Sequence, residues 1–398
     1  MNMDKLRILN IVADEKFIDN VINFHDLSRE KADHSYVIIG NDTNELRFIK
    51  QKNRIKRIIS EDFFTFLNEC SFDAIILHGL LAIPLELLPL IPPCIAIIWS
   101  AWGYDLYQYP ADYPLVELKN IYRPATVKEF KKQQTVTLKG WLKFHLNKLR
   151  IVKRVRCSKQ RKLLLSAVKR IDFFTCVLSS EYELTKKIKG FKAEYVEYKY
   201  YDPSRFGSAI PDYVKNQNIL IGNSANPSNN HLDIFEKLQS LGIKERELII
   251  PINYGGSEVW RDTIQHKANE LDDISLNIIC DYMPVSDYYN LIGHCAYAIF
   301  YHERQQAMGN IYFLLESGCK IFLSETSTTY RYLKERNFYV YSVQSDLSID
   351  ALNQPLTPKQ MEKNRQIVRK LYSDRDEALN VMQKLYDKLW KWKSIQNS

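Results

Sequence analysis

Short apolar runs rich in β-branched residues alternate with longer stretches of helical periodicity along the chain. In the first half, Leu6–Val12, Tyr36–Ile39, Ala74–Leu77, Ile95–Trp99, Phe173–Val177 and Glu194–Tyr198 predict strands. Patterns near Phe17–Ser28, Asp62–Cys70, Lys159–Lys169 and Glu181–Lys189 predict helices between them. The rhythm restarts with strands at Ile219–Gly222, Leu248–Ile252, Leu276–Ile279, Tyr297–Phe300, Lys320–Leu323 and Phe338–Tyr341. Helices are expected near His231–Leu241, Ser257–Leu271, Val285–Ile292, Gln306–Ser317 and Thr328–Glu335. Two separate strand–helix series predict an α/β protein of two Rossmann-like, doubly wound domains. Asp202-Pro203, Gly207 and Pro211 mark the join. The expected division is an N-terminal domain over 1–205, a C-terminal domain over 206–372, and a C-terminal helix over 373–398 free to cross back to the first.

Two polar loops, each after a strand and before a helix, carry the candidate chemistry. One is Gly222-Asn223-Ser224 with the following Ala225 to His231; the other is Tyr301 to Asn310, with Arg304, Gln305 and Gln306 at its centre. In open α/β sheets such loops line the ligand crevice, and helix N-termini offer N–H groups to anions. Arg304 suits a diphosphate through bidentate contact, Gln305, Gln306 and Asn310 add neutral donors, and Gly309 lets backbone approach. Asn223 and Ser224 can meet phosphate or acceptor, while Asn226 to Asn230 fit turn and cap chemistry. Tyr254 can border a base or simply pack. His302 and Glu303 are weaker candidates beside the diphosphate. In the first half, His78-Gly79 and Trp99 to Asp105 end consecutive strands. His78 or Asp105 could act as general base, and Trp99 or Trp102 could platform an acceptor sugar; a turn histidine and a helix-capping aspartate are the plain alternatives.

Charge is unevenly spread. Net charge is +8, yet between Lys119 and Arg170 stand 17 Lys/Arg and one acid, Glu129, leaving −8 for the rest. Trp141, Leu142, Phe144, Leu146, Leu149, Ile151 and Val152 interleave with these cations, which predicts a surface that docks on anionic lipid; a solvated basic helix pair is the alternative. No nucleic-acid motif accompanies it. His78, Glu86, Pro84, Pro89, Pro92 and Pro93 rule out a spanning helix over the apolar stretch Ala74 to Trp99. Met1 to Val12 passes straight into a strand-like run, without the pattern of a secretory leader. Seven scattered cysteines without a CxxC pair predict a reducing cytosol and no structural zinc. Asp374 and Asp376 spell a DxD, but at a helix start rather than in a loop after a strand.

IGNSANPSNNH (221–231), IIPINY (249–254), Arg304-Gln305-Gln306, His78-Gly79 and WGYDLY (102–107) together resemble the bacterial lipid II N-acetylfucosaminyltransferases, glycosyltransferase family 56. The resemblance implies a GT-B fold with two Rossmann-like domains facing a central cleft, and no metal or other cofactor. It implies a nucleotide-diphosphate sugar as donor and a polyprenyl-diphosphate-linked glycan as acceptor, in surface-polysaccharide synthesis on the cytoplasmic face of the plasma membrane. Gly222, Asn223, Ser224, Tyr254, Arg304, Gln305, Gln306, Gly309, Asn310 and Glu316 would then hold the donor, with Glu316 on the ribose. Glu316 stands where the enterobacterial enzyme carries Gln, and the basic segment 119–170 is longer than the family's connection. Three other outcomes stay open: a GT-B transferase with a soluble acceptor, a basic nucleic-acid-binding α/β protein, and a non-catalytic scaffold that keeps the fold.

Overall fold

The computed structural model describes residues 5–40, 45–107, 115, 121–135, 161–198, 212–372 and 375–396. The chain forms two compact units: Met1–Glu117, Ile151–Gly207 and Ser373–Ser398 make the first, Leu118–Arg150 and Ser208–Tyr372 the second.

The first unit is built on seven strands: β1 (Leu6–Ile11), β2 (Ala32–Ile39), β3 (Ile55–Ile58), β4 (Ala74–His78), β5 (Ala96–Ala101), β6 (Phe173–Cys176) and β7 (Glu194–Tyr195). All pairs are parallel, in the order β3-β2-β1-β4-β5-β6-β7. The order reverses between β1 and β4, where the crevice for a ligand opens at the strand C-termini. β3 went unseen in the sequence because Lys56 and Arg57 break its apolar run. That is how an edge strand is kept from pairing further. The central strands are buried on both faces, so they read as continuous apolar runs rather than alternating ones. The helix Arg375–Gln396 seats Met382, Leu385, Tyr386 and Leu389 in the same core as Leu6, Ile8, Ala74 and Ile98.

The second unit carries β8 (Asn216–Ile221), β9 (Glu247–Pro251), β10 (Ser275–Ile279), β11 (Cys295–Phe300), β12 (Lys320–Leu323) and β13 (Tyr341–Ser342). These are also all parallel, ordered β10-β9-β8-β11-β12-β13, with the reversal between β8 and β11. The helix Met308–Glu316 has seven of its nine residues buried, which fits its nearly uninterrupted apolar sequence. The helix Pro358–Tyr372 closes this second unit.

The basic segment 119–170, expected to belong wholly to the first domain, does not. Its helix Pro124–Thr135 packs on the second unit. Phe130 lies 4.6 Å from the Trp260 ring. Asp233 fastens the helix start by accepting hydrogen bonds from Ala125 N (2.8 Å), Thr126 N (3.0 Å) and Thr126 Oγ1 (2.7 Å). Residues 136–160, which include Cys157 and most of the cation–aromatic interleaving, lie outside the described residues, as does Asp374 of the DxD. Among the described residues no helix is long and apolar enough to cross a membrane, and no His, Cys, Asp and Glu side chains cluster to hold a metal.

Candidate functional site

The second unit's switch point is where its two polar loops meet. Gly222 follows β8 at φ +64°, and a Cβ there would stand 2.8 Å from His231 Nε2 and 3.1 Å from Asn229 Oδ1, so only glycine fits this turn. Asn223 Nδ2 donates to Tyr254 Oη (2.8 Å), and Gln306 Nε2 donates to Asn223 Oδ1 (2.8 Å). The Ser228 hydroxyl lies 2.8 Å from both Gln306 Oε1 and Asn226 Oδ1, and Arg304 Nε donates to it at 3.2 Å. Asn229 Nδ2 donates to Ser224 O (2.8 Å), closing the first loop on itself. One network thus joins the loops after β8, β9 and β11, and it fixes the side chain of Arg304, itself only 7% exposed.

The second loop ends on a helix. Ala307 takes a left-handed conformation (φ +59°) as the N-cap of Met308–Glu316, so the first N–H groups of that helix follow directly on Gln306. Asn310 sits in the helix's first turn and donates to Tyr288 Oη (2.8 Å), which orients its amide. A buried guanidinium three residues ahead of a helix N-cap makes a seat for a diphosphate, with the dipole adding to the positive field. Gln305 is nearly buried, and its side-chain amide makes no hydrogen bond among the described residues. His302 Nδ1 donates to Arg304 O (3.0 Å), so its Nε2 is the bare nitrogen. Burial, then the neighbouring Arg304 charge, lowers its pKa to about 3. His231 under Gly222 is likewise pushed to about 3 by burial.

A second layer was not visible in the sequence. Arg123, counted there only as one of many cations, pairs through Nη2 with Glu303 Oε1 and Ser324 Oγ (2.7 Å), and its guanidinium lies 3.9 Å over the Tyr301 ring. Glu303 also accepts from Ser324 Oγ (2.6 Å) and Thr326 Oγ1 (2.8 Å). Glu303 is therefore spent on holding the loop, and a signal for it was its place between a strand end and Arg304. Ser228 was assigned to turn chemistry, yet it is the hydroxyl on which Arg304 and Gln306 converge.

Five expectations need correction. Glu316 is the last residue of its helix, at the end opposite Met308. It is buried against Arg369, whose Nε donates to its Oε1 at 3.1 Å, so it does not join the donor residues. Trp99 is fully buried, its indole N–H on Asp105 (2.7 Å) and its ring edge-on to Phe174, which leaves no face for a sugar. Asp105 is fully buried too. It accepts from Leu80 N (2.9 Å), Trp99 Nε1 (2.7 Å) and Trp102 N (3.0 Å), locking three chain segments together. His78 is 1% exposed, with Nε2 on Asn10 Oδ1 (3.1 Å) and Nδ1 enclosed without a partner; burial lowers its pKa to about 3. Neither Asp105 nor His78 is a base that substrate can reach. Gly309 is helical, and a Cβ there would meet only the Tyr289 hydroxyl at 3.8 Å, so no close approach is reserved at that position. Trp102 is half-buried and stacks on Phe17 at 3.6 Å. Tyr254 is 36% exposed at the rim of the second unit's network.

Similarity to known proteins agrees with this geometry. Residues 181–369 match the family model described as 4-alpha-L-fucosyltransferase, glycosyl transferase group 56. Among solved structures, sucrose-phosphate synthase of Thermosynechococcus elongatus aligns over 97% of this chain and 100% of its own, at 11% identity and TM-score 0.59. The N-terminal domain of trehalose-6-phosphate phosphatase from Candida albicans aligns over 97% and 96%, at 13% identity and TM-score 0.57. AviGT4, a glycosyltransferase involved in avilamycin A biosynthesis, aligns over 98% of both chains, at 10% identity and TM-score 0.52. At such identities these structures speak for the fold alone, and the family match, over just under half the chain, speaks for the activity. The chain is a glycosyltransferase of the GT-B fold, similar over residues 181–369 to glycosyl transferase group 56, and uses a nucleotide-sugar donor and a glycan acceptor.

Proposed function

We propose that this enzyme moves a deoxyhexose or N-acetylated deoxyhexose from its nucleotide diphosphate to a polyprenyl-diphosphate-linked glycan during surface-polysaccharide synthesis. It would work from the inner face of the plasma membrane. The observation that carries the donor side is Arg304, set by Ser228 one residue ahead of Gln305-Gln306 and a helix start, at the point where the sheet order reverses. As the bond to the sugar breaks, negative charge grows on the leaving diphosphate. A fixed guanidinium and aligned N–H groups stabilise that charge more than they stabilise the ground state. Gln305, whose amide makes no hydrogen bond among the described residues, and Asn310 supply neutral donors around it. Asn223, Ser224 and Tyr254 border the same seat. The net +16 carried by residues 119–170 supports the membrane-bound acceptor, since each basic residue near an anionic surface adds about 1 kcal/mol.

A thermal-shift panel of UDP-, GDP- and dTDP-hexoses identifies the donor, because ligand bound only to the folded state raises its stability by mass action. Arg304→Ala should then lose that shift and lower nucleoside-diphosphate release by about 100- to 1000-fold, the effect expected of one transition-state donor. An Arg304→Ala protein with unchanged shift and rate rejects the donor site. Replacing the cations of 139–159 with Gln should release the protein from phosphatidylglycerol vesicles; undiminished binding rejects the membrane role and favours a soluble acceptor.

A further inference from the structure

With His78 and Asp105 sealed, the first unit still shows one reachable carboxylate at its own switch point. After β1, which runs beside β4 with Ile11 level with Leu77, the chain passes through Asp14, Glu15 and Lys16 before the helix Ile18–Asp26. Asp14 is fully used. Its carboxylate accepts from Arg47 N (2.6 Å), Phe48 N (3.0 Å) and Ile49 N (3.0 Å), pinning the stretch ahead of β3. Glu15 differs: its carboxylate is half-buried and has no hydrogen bond or ion pair among the described residues. Leaving a half-desolvated carboxylate bare costs stability, so such a group asks for a functional reason.

The charge of Glu15 reaches the hydroxyl of Tyr104, at the start of the helical turn after β5. Its ring lies over Gly79, where a Cβ would collide with the phenol hydroxyl, and that hydroxyl also finds no hydrogen-bond partner among the described residues. Burial first, then the charges of Asp105 and Glu15, hold the Tyr104 hydroxyl in its protonated form. Phe17, two residues beyond Glu15, stacks on Trp102. A carboxylate and a phenol hydroxyl, neither hydrogen-bonded among the described residues, thus lie with a pair of aromatic rings in the loops that follow β1 and β5, and such groups together suit a sugar hydroxyl.

We propose that Glu15 is the base that takes the proton from the acceptor hydroxyl, with Tyr104 holding the acceptor beside it. The inference rests on the glycosyl-transfer activity and assumes a single displacement. The acceptor O–H bond breaks and its proton passes to a Glu15 carboxylate oxygen. The acceptor oxygen bonds to the anomeric carbon, and the bond from that carbon to the nucleoside diphosphate breaks, its electron pair leaving with the diphosphate. The electrostatics suit the task. Burial, then Asp14, raise the proton affinity of Glu15 above the ordinary carboxylate range, against a smaller lowering by Lys16. A carboxylate with raised proton affinity is the stronger base.

The test compares Glu15→Gln, Glu15→Asp and Tyr104→Phe with the wild-type chain. It follows release of nucleoside diphosphate from the hexose donor giving the largest thermal shift, with water and with a polyprenyl-diphosphate-linked disaccharide as acceptors. Glu15→Gln should lower kcat about 100-fold or more, the usual contribution of a positioned base. The donor-induced thermal shift should stay intact, and the acidic limb of the pH–rate profile should vanish. Glu15→Asp should keep that limb at a reduced rate, and Tyr104→Phe should mainly raise KM for the disaccharide. A folded Glu15→Gln enzyme within threefold of wild type, with the limb preserved, overturns the assignment while leaving the donor site standing. A wild-type chain that neither binds nor turns over any donor overturns both.

Discussion

The two switch points share one topology and treat their polar groups in opposite ways. In the second unit, Asn223, Tyr254, Gln306, Ser228 and Arg304 are tied into one network before any ligand arrives. In the first, the polar groups divide into two kinds. Asp105, Asn10 and His78 are locked inside, while the Glu15 carboxylate and the Tyr104 hydroxyl make no hydrogen bond among the described residues. The contrast follows from what each site must do. A seat for a leaving group works best when its donors are aligned in advance, since nothing then has to reorganise as charge develops. A base must keep a lone pair free for an incoming proton, so saturating it would defeat it.

The largest effect that tests this division is acid. Burial holds His34, His78, His231 and His302 near pKa 3 against an ordinary 6.5, and His25 well below it. Between about pH 3 and 6.5 the folded state therefore binds fewer protons than the unfolded chain. Stability is complete above 6.5 and is lost as pH falls, by about 2 kcal/mol per histidine at pH 5. The first unit holds three of the five, joined through Asn10, Tyr36, Tyr198 and Tyr386, so its signals should melt first as pH drops. Unfolding followed at Trp99 and Trp260, each replaced by Phe in turn, separates the units; a pH-independent midpoint between 7 and 5 contradicts the sealed histidines.

Next in size is Asp105→Ala. The substitution orphans the N–H groups of Leu80, Trp99 and Trp102. About 3–5 kcal/mol should be lost, because each buried donor then carries its desolvation cost unrelieved. Asp105→Asn retains an acceptor oxygen and should lose less. Read by chemical denaturation, equal costs for the two would deny the carboxylate its locking role. Any fall in turnover should track the folded fraction, which separates Asp105 from Glu15.

Much of this was legible in the chain. Parallel strands buried on both faces betray themselves as unbroken apolar runs, so β1, β4, β5, β8, β9, β11 and β12 were readable, and the double reversal of order followed from their alternation with helices. Edge strands β3 and β13 were not well read, because an edge tolerates charge and needs few residues. At the site, Arg304 to Gln306 and Gly222 to Ser224 could be found from their place between a strand and a helix. Their network could not, because Ser228, Asn223 and Tyr254 meet across loops that are far apart in sequence. Glu316 misled because helical spacing alone does not say which end of a buried helix faces the ligand. Glu15 escaped for the opposite reason. Its distinction is a carboxylate without a hydrogen bond among the described residues, and a bond not made leaves no mark in a sequence.

The smallest expected effect sharpens the comparison most finely. Tyr254→Phe removes only the hydroxyl that accepts from Asn223 Nδ2, at a residue 36% exposed. Water can replace that partner, so stability should fall by less than about 1 kcal/mol. If the second unit's network is tied in advance to hold Gln306 and Arg304 in place, loosening Asn223 also loosens the donor seat. Donor affinity should then fall several-fold while the pH–rate profile, set by the first unit, keeps its shape. An isothermal titration with the donor, together with kcat measured across pH, checks both halves. Unchanged affinity would mean that Asn223 is held well enough by Gln306 alone. A shifted acidic limb would mean that the two switch points are not the separate devices their hydrogen bonds describe.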